Sequence, residues 1–285
     1  MHDIIIVELP KAHGEIKGCW YDGYPVHKGH TKNSLNYATQ YAHQNKIIPD
    51  QKKLTLDYNN FKNKLKQAGL RVHTLPFPEE LNQINKLHHD AVFIRDPGMM
   101  FGDYWIKARY SAKIRQAEAE VHARILAKKF HKKIIEAPAE AYLEFGEVIL
   151  IQTKTGSYYF GGLSRSNKAG HNFAKSIIKP DHSCFIKSQG YHLDTVFTPV
   201  LNKNNELVAF ILAKKLIDKN SLLALKKFKV EMIYIDPIDS SGEKGDKGTL
   251  GNYTVNALIA PGIMLNCGKF LTKGVEEKLK KLGIK

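Results

Sequence analysis

The chain is poor in arginine and cysteine and has no long apolar run. Of its 43 basic residues only six are arginine; the other 37 are lysines, scattered along the chain with acids between them. The formal net charge is +15. Base readout in nucleic acids favours arginine's planar fork, so diffuse lysine reads as a solvated surface and argues against a nucleic-acid partner. The three cysteines, Cys19, Cys184 and Cys267, are far apart and odd in number. That argues against a disulfide framework and for a reducing, cytoplasmic setting. No CxxC pair and no HExxH motif occurs, so no metal site is expected. No GxGxxG follows a strand, and the Gly-rich stretch SGEKGDKG at 241–248 lacks the Walker spacing. It reads as a surface loop, and no cofactor is expected. No stretch nears the roughly 18 apolar residues that a membrane helix needs. The opening MHDIIIVELPKAHGE lacks a basic n-region and reads as a first strand.

What is present is an ordinary globular composition, 43% hydrophobic and 25% charged over 285 residues. We read 1–285 as one domain. Runs rich in β-branched residues predict strands at 3–8, 71–77, 89–97, 147–153, 157–162, 195–201, 206–213, 231–236 and 256–266. Helical patterns predict 57–68, starting near Asp57 and stopping before Gly69, and 111–131 with Ser111 as its cap, followed by a short helix at 275–283. Strands outnumber helices, and hairpins interrupt strict alternation, so the class is α/β or α+β but not doubly wound. The segment 10–56, with Cys19, Trp20 and His30, carries no usable motif.

Four polar clusters fall at predicted strand ends: Asp90-x-x-Phe93-x-Arg95-Asp96, Glu144-Phe145-Gly146-Glu147, Gly162-Leu163-Ser164-Arg165-Ser166-Asn167, and His192-Leu193-Asp194. On a strand, His192 and Asp194 share a face, as do Asp90 and Asp96. An imidazole beside carboxylates, without a metal pattern, suits proton transfer next to a cationic ligand. A guanidinium is such a ligand. It presents five donors in a fixed fork, so gripping it from opposing sides takes at least two carboxylates. An amino-acid ligand also needs a cation for its own carboxylate. Arg109 and Arg165 are the candidates.

The segments FIRD, LEFGE, GLSRSN and YHLDTVFTP, in that order, resemble the guanidine-modifying enzyme superfamily of arginine deiminases, amidinotransferases and dimethylarginine dimethylaminohydrolases. The resemblance runs from about residue 57 to the C-terminus. It implies a pentein fold, an α/β-propeller of five ββαβ modules around a polar cavity. It also implies a hydrolase that acts on a small guanidino substrate through a covalent cysteine intermediate. Residue by residue, it makes His192 the catalytic histidine and Asp96 a guanidinium ligand. Glu144 would orient the histidine or bind a guanidinium nitrogen. Arg109 and Arg165 would hold the substrate's carboxylate end. Phe145 and Glu147 stand where the family usually has Gly and Asp. Asp194 resembles the His-x-Asp of deiminases, dihydrolases and amidinotransferases; dimethylarginine hydrolases typically carry Lys there. A second carboxylate pairs with the outer guanidinium nitrogens, which favours free arginine over its methylated form.

In that family the nucleophilic cysteine follows the last helix, in a Gly-rich segment. Here VEEKLKKLGIK resembles that helix and the start of the next strand, so the nucleophile is expected beyond Lys285 and the fifth module is expected to be incomplete. Cys267 lies before the helix and reads as an ordinary strand-end residue. The alternatives are an amidinotransferase, or a non-catalytic pentein that binds a guanidino ligand or an acidic macromolecule. An unclosed module predicts an open sheet edge and association into a homo-oligomer.

Overall fold

The computed structural model describes residues 3–10, 41, 42, 44–82, 88–111, 115–242 and 250–285. Most of the Gly-rich loop 241–248 lies outside these residues, as do Cys19, Trp20 and His30.

One unit recurs along the chain: an antiparallel hairpin, a helix, and a third strand that returns parallel to the hairpin's second strand. Strands β3 (Gly98–Phe101) and β4 (Tyr104–Lys107) are followed by helix α2 (Gln116–Lys129) and strand β5 (Lys133–Ile135), which pairs parallel to β4. The pattern repeats in β6 (Val148–Thr153), β7 (Gly156–Gly162), α3 (Lys168–Ile178) and β8 (His182–Ile186). It repeats again in β9 (Phe197–Leu201), β10 (Leu207–Leu212), α4 (Lys219–Lys226) and β11 (Glu231–Tyr234). A further unit begins with the hairpin β12 (Leu258–Ala260) and β13 (Ile263–Leu265), followed by α5 (Val275–Lys281). The Lys285 backbone then bonds alongside β13, to Met264 and Gly262, where the other units place their third strand. Nearer the N-terminus, β1 (Asp3–Val7) and β2 (Arg71–Leu75) pair in parallel, with α1 (Gln51–Gln67) between them in sequence.

The local chemistry explains the helix boundaries. The Asp50 carboxylate accepts from the backbone N–H groups of Lys52 and Lys53 and starts α1 nearly two turns before the expected Asp57. Gly69, at φ +80°, ends it. Asn167 and Asp218 cap α3 and α4 in the same way. Neither helix stood out in the sequence. The apolar stretch 256–266 is a hairpin rather than one strand, because Pro261-Gly262 turns the chain with Gly262 at φ +72°. Helix α2 begins after Arg115, later than expected, and Ser111 does not cap it.

The strands pack face to face. Along β7, Tyr159 and Phe160 point to opposite sides and both are fully buried. Phe160 meets Phe197 and Phe210 at ring-centroid distances of 5.2 and 5.3 Å in the largest core cluster. Tyr159 joins a second cluster with Ile106, Leu143 and Phe145. Burial on both faces is why β6 and β7 read as near-continuous apolar runs. Among the described residues no helix is long and apolar enough to cross a membrane.

Candidate functional site

Three units deliver a polar side chain just before their first strand. Asp96 precedes β3, Glu144 precedes β6 and His192 precedes β9, at intervals of 48 residues. Each of the three has a short 3-10 turn close by, and at Asp96 and His192 the strand that the sequence suggested is absent. Residues 89–97 are not a strand: His89–Val92 is one such turn. Phe145–Glu147 and Leu193–Thr195 are the others. His192 and Asp194 therefore do not alternate along a strand. They reach one cavity because the turn bends the chain back on itself, with the Thr195 hydroxyl donating to the His192 carbonyl at 2.7 Å.

His192 is the centre of the cluster. Its Nε2 lies 2.8 Å from Glu144 Oε2, and its Nδ1 lies 4.0 Å from Asp96 Oδ2. Gly146 lies against the ring: a methyl group there would stand 2.3 Å from Nδ1. Glu144 is fully buried and fully engaged. Its Oε1 accepts from the Ser111 N–H at 2.9 Å and the Ser111 hydroxyl at 2.7 Å, and Arg165 Nη1 stands 3.6 Å from Oε2. Burial pushes the Glu144 carboxyl up, but the charge of Arg165 and the His192 bond outweigh it and hold the carboxyl well below the usual range. Burial likewise pulls the His192 imidazole down, but the field of Asp96 and the bond to Glu144 win, and its pKa is raised. The arrangement favours the protonated form of His192.

Asp194 is buried, and burial raises its pKa against the opposing pull of Arg95. Arg95 Nη1 donates to Asp194 Oδ2 at 2.8 Å, while Oδ1 has no protein partner. Asp96 receives Arg115 Nη1 at 3.0 Å. Arg115, which the sequence reading passed over, is a buried hub. It binds Glu118 through Nε at 3.0 Å and Nη2 at 2.8 Å, approaches Asp90 Oδ2 at 3.7 Å, and stacks over Tyr110. Its clearest signal in the sequence was the i,i+3 pairing with Glu118 across the helix start. Glu147 holds the backbone of the Ser164–Arg165 turn through Oε1, and burial raises its pKa to about 7. Tyr191, also missed, packs its ring 5.0 Å from His192 and carries Arg165 over its face.

Asp90, Arg95, Asp96, Tyr191, His192 and Asp194 line one cavity of 640 Å³. Its remaining walls are largely apolar, from β1 and α1. Six of the seven expected site residues thus converge: Asp90, Asp96, His192 and Asp194 at the cavity, with Glu144 and Arg165 directly behind the histidine. Arg109 does not line it. Its backbone instead bridges to Leu143 in both directions at 2.9 Å. Cys184 is buried, with its thiol pushed up to about 11, and Cys267 donates to the Asn252 carbonyl, with its thiol also raised by burial. Among the described residues, no group of His, Cys, Asp or Glu has the geometry of a metal site.

No family model matches the chain. Solved structures do. The N-terminal domain of ArgZ, a cyanobacterial arginine dihydrolase, in complex with substrate, superposes with a TM-score of 0.70 at 17% identity, over 99% of this chain and 90% of that one. A dimethylarginine dimethylaminohydrolase adduct superposes with a TM-score of 0.63 at 16% identity, over 100% of this chain and 90% of that one. The chain has the pentein fold. A third pentein match, AgrE with ornithine and NAD+, has a TM-score of 0.71 at 17% identity and covers 36% of that longer chain. In sequence, an uncharacterized Caenorhabditis elegans protein, ZK1307.1, is 27% identical over 155 residues, which is 54% of this chain. That match spans about half of the curated relative, 52% of its length.

Proposed function

We propose that this pentein is a hydrolase acting on the guanidinium group of arginine or a close derivative. The observation that carries the reading is the bracketing of His192 between Glu144 and Asp96, beside the buried carboxylate of Asp194. Asp96 and Asp194 grip the planar cation through its N–H donors. A thiolate adds to the guanidinium carbon. His192, held protonated by its two carboxylate neighbours, gives its proton to the departing amine. The neutral imidazole then takes a proton from water as that water attacks the thiouronium carbon. Collapse of the adduct restores the thiolate and releases a urea-type product. Glu144 keeps the ring aligned and never needs to protonate, because its own pKa is held low.

Solved pentein neighbours support this assignment: one is an arginine dihydrolase and another a dimethylarginine dimethylaminohydrolase. Asp194 favours unmethylated arginine, since methylation removes the donors that a second carboxylate would receive. One observation favours a second reading, a guanidino-binding protein without turnover: burial raises the pKa of both described thiols, and neither is set against His192. The test incubates the protein with L-arginine and measures ammonia and citrulline or ornithine. Turnover that His192→Ala abolishes is expected. Saturable binding with no product would establish the second reading, and near-normal turnover by His192→Ala would refute the role of the histidine.

A further inference from the structure

Within the guanidinium reading, on which this inference rests, the cavity has a second charged member whose position is informative. Arg95 is the one arginine or lysine among the described residues that line it. Its side chain is 41% exposed, against 4% for Arg115 and 6% for Arg165. Arg115 cannot turn towards a ligand without stranding the buried carboxylates of Asp96 and Glu118. Arg165 is committed to Glu144 and the Tyr191 face. Among the described residues Arg95 makes one side-chain hydrogen bond, to Asp194 Oδ2 at 2.8 Å, and has solvent into which it can swing. Its guanidinium stands where a ligand's guanidinium has to go.

We propose that Arg95 is a specificity-determining residue that selects guanidino compounds bearing a carboxylate, by exchanging ion-pair partners with them. The ligand's guanidinium displaces Arg95 from Asp194 and takes both oxygens in a bidentate fork. Arg95 fills only one, and Oδ1 is buried without a protein partner. The freed Arg95 then closes on the ligand's carboxylate. One ion pair becomes two, and no charge is left bare in a largely apolar cavity. A ligand with the same guanidinium but no carboxylate must evict Arg95 without offering it a new partner. The assignment moves recognition of the carboxylate end from Arg109 and Arg165 to a residue beside the guanidinium site.

The test is calorimetric titration of the full chain at pH 8 with L-arginine and with its decarboxylated counterpart agmatine. The wild-type protein should bind arginine about tenfold or more tighter than agmatine, the effect of one charge-assisted pair. In Arg95→Gln the two affinities should fall within about twofold of each other, mainly through loss of arginine affinity. Should that variant fail to fold, Arg95→Lys is read instead. Its ammonium lacks the fork, and the ratio should drop several-fold. An unchanged ratio in the folded variant overturns the proposal, as does equal affinity of the wild type for both ligands. Both of those outcomes leave the guanidinium reading standing. Absence of binding by either ligand to the wild type overturns both.

Discussion

Replacing Gly146 by alanine perturbs the centre of the site with one methyl group. Gly146 is not at positive φ, so the backbone accepts alanine without strain. The added carbon would lie 2.3 Å from His192 Nδ1, 2.8 Å from Cγ and 2.9 Å from Cε1. Ordinary carbon contacts need about 3.5 Å, so the ring must retreat by roughly 1 Å. The ring is not free to do this cheaply, because its Nε2 is held 2.8 Å from Glu144 Oε2. Lengthening that bond by about 1 Å takes it outside hydrogen-bond range. A buried carboxylate then loses a charged partner, at a cost of about 1–3 kcal/mol. Two readouts follow. Urea unfolding should show that loss, and an NMR titration of the His192 ring should show its pKa falling below the wild-type value, since the Glu144 bond helps raise it. A displacement of this size should also reduce any turnover on the order of a hundredfold. A variant with wild-type stability and an unshifted His192 titration would falsify the packing argument.

Glu147 should make stability fall as pH rises. Its carboxyl has an unfolded value near 4.5 and a folded value of about 7. The penalty for ionising it is absent below 4.5, grows between the two values and is complete above 7, reaching on the order of 3 kcal/mol. Glu147→Gln removes this titration, so the drop in unfolding free energy from pH 5 to pH 8 should be smaller in the variant; an equal drop would count against it. Arg115→Met strands Asp96 and Glu118, and should lower stability by about 3–5 kcal/mol in urea unfolding. By contrast Arg124→Ala, which removes an exposed pair with Glu80, should stay within about 1 kcal/mol of wild type. Equal effects of the two substitutions would show that the buried hub is not what holds this corner together.

Much of the site was legible because its chemistry is carried by rare residue types in short clusters. Asp96, His192 and Asp194 were singled out from a wrong local geometry: neither 89–97 nor 192–194 is a strand, and 3-10 turns occupy His89–Val92 and Leu193–Thr195. The residues converge all the same, because each sits where its unit begins and the units face one cavity. A repeat was present to be read, with Asp96, Glu144 and His192 at intervals of 48 residues, but periodicity within single elements does not detect it. Helix α3 was hidden by its composition. KAGHNFAKSII carries glycine and histidine where a strong helix former is expected. Gly170 is needed there because any side chain would run into the Tyr142 carbonyl. The roles of Arg115, Tyr191 and Ser111 depend on contacts between distant segments, which no local pattern encodes. Arg109 shows the converse. A residue matched by motif lies on a strand bridge outside the cavity, and Arg95, given no role from its cluster in the sequence, lines it.

The central claim is that a guanidinium binds against Asp194 beside His192. Its most direct test is calorimetric titration of L-arginine into the wild-type protein and into Asp194→Asn, a change that keeps the shape of the side chain and removes its charge. The account predicts saturable binding by the wild type, weakened about tenfold or more in the variant, with the unfolding midpoint little changed because Asp194 pairs only with the half-exposed Arg95. No binding by the wild type, or equal binding by both proteins, would contradict it.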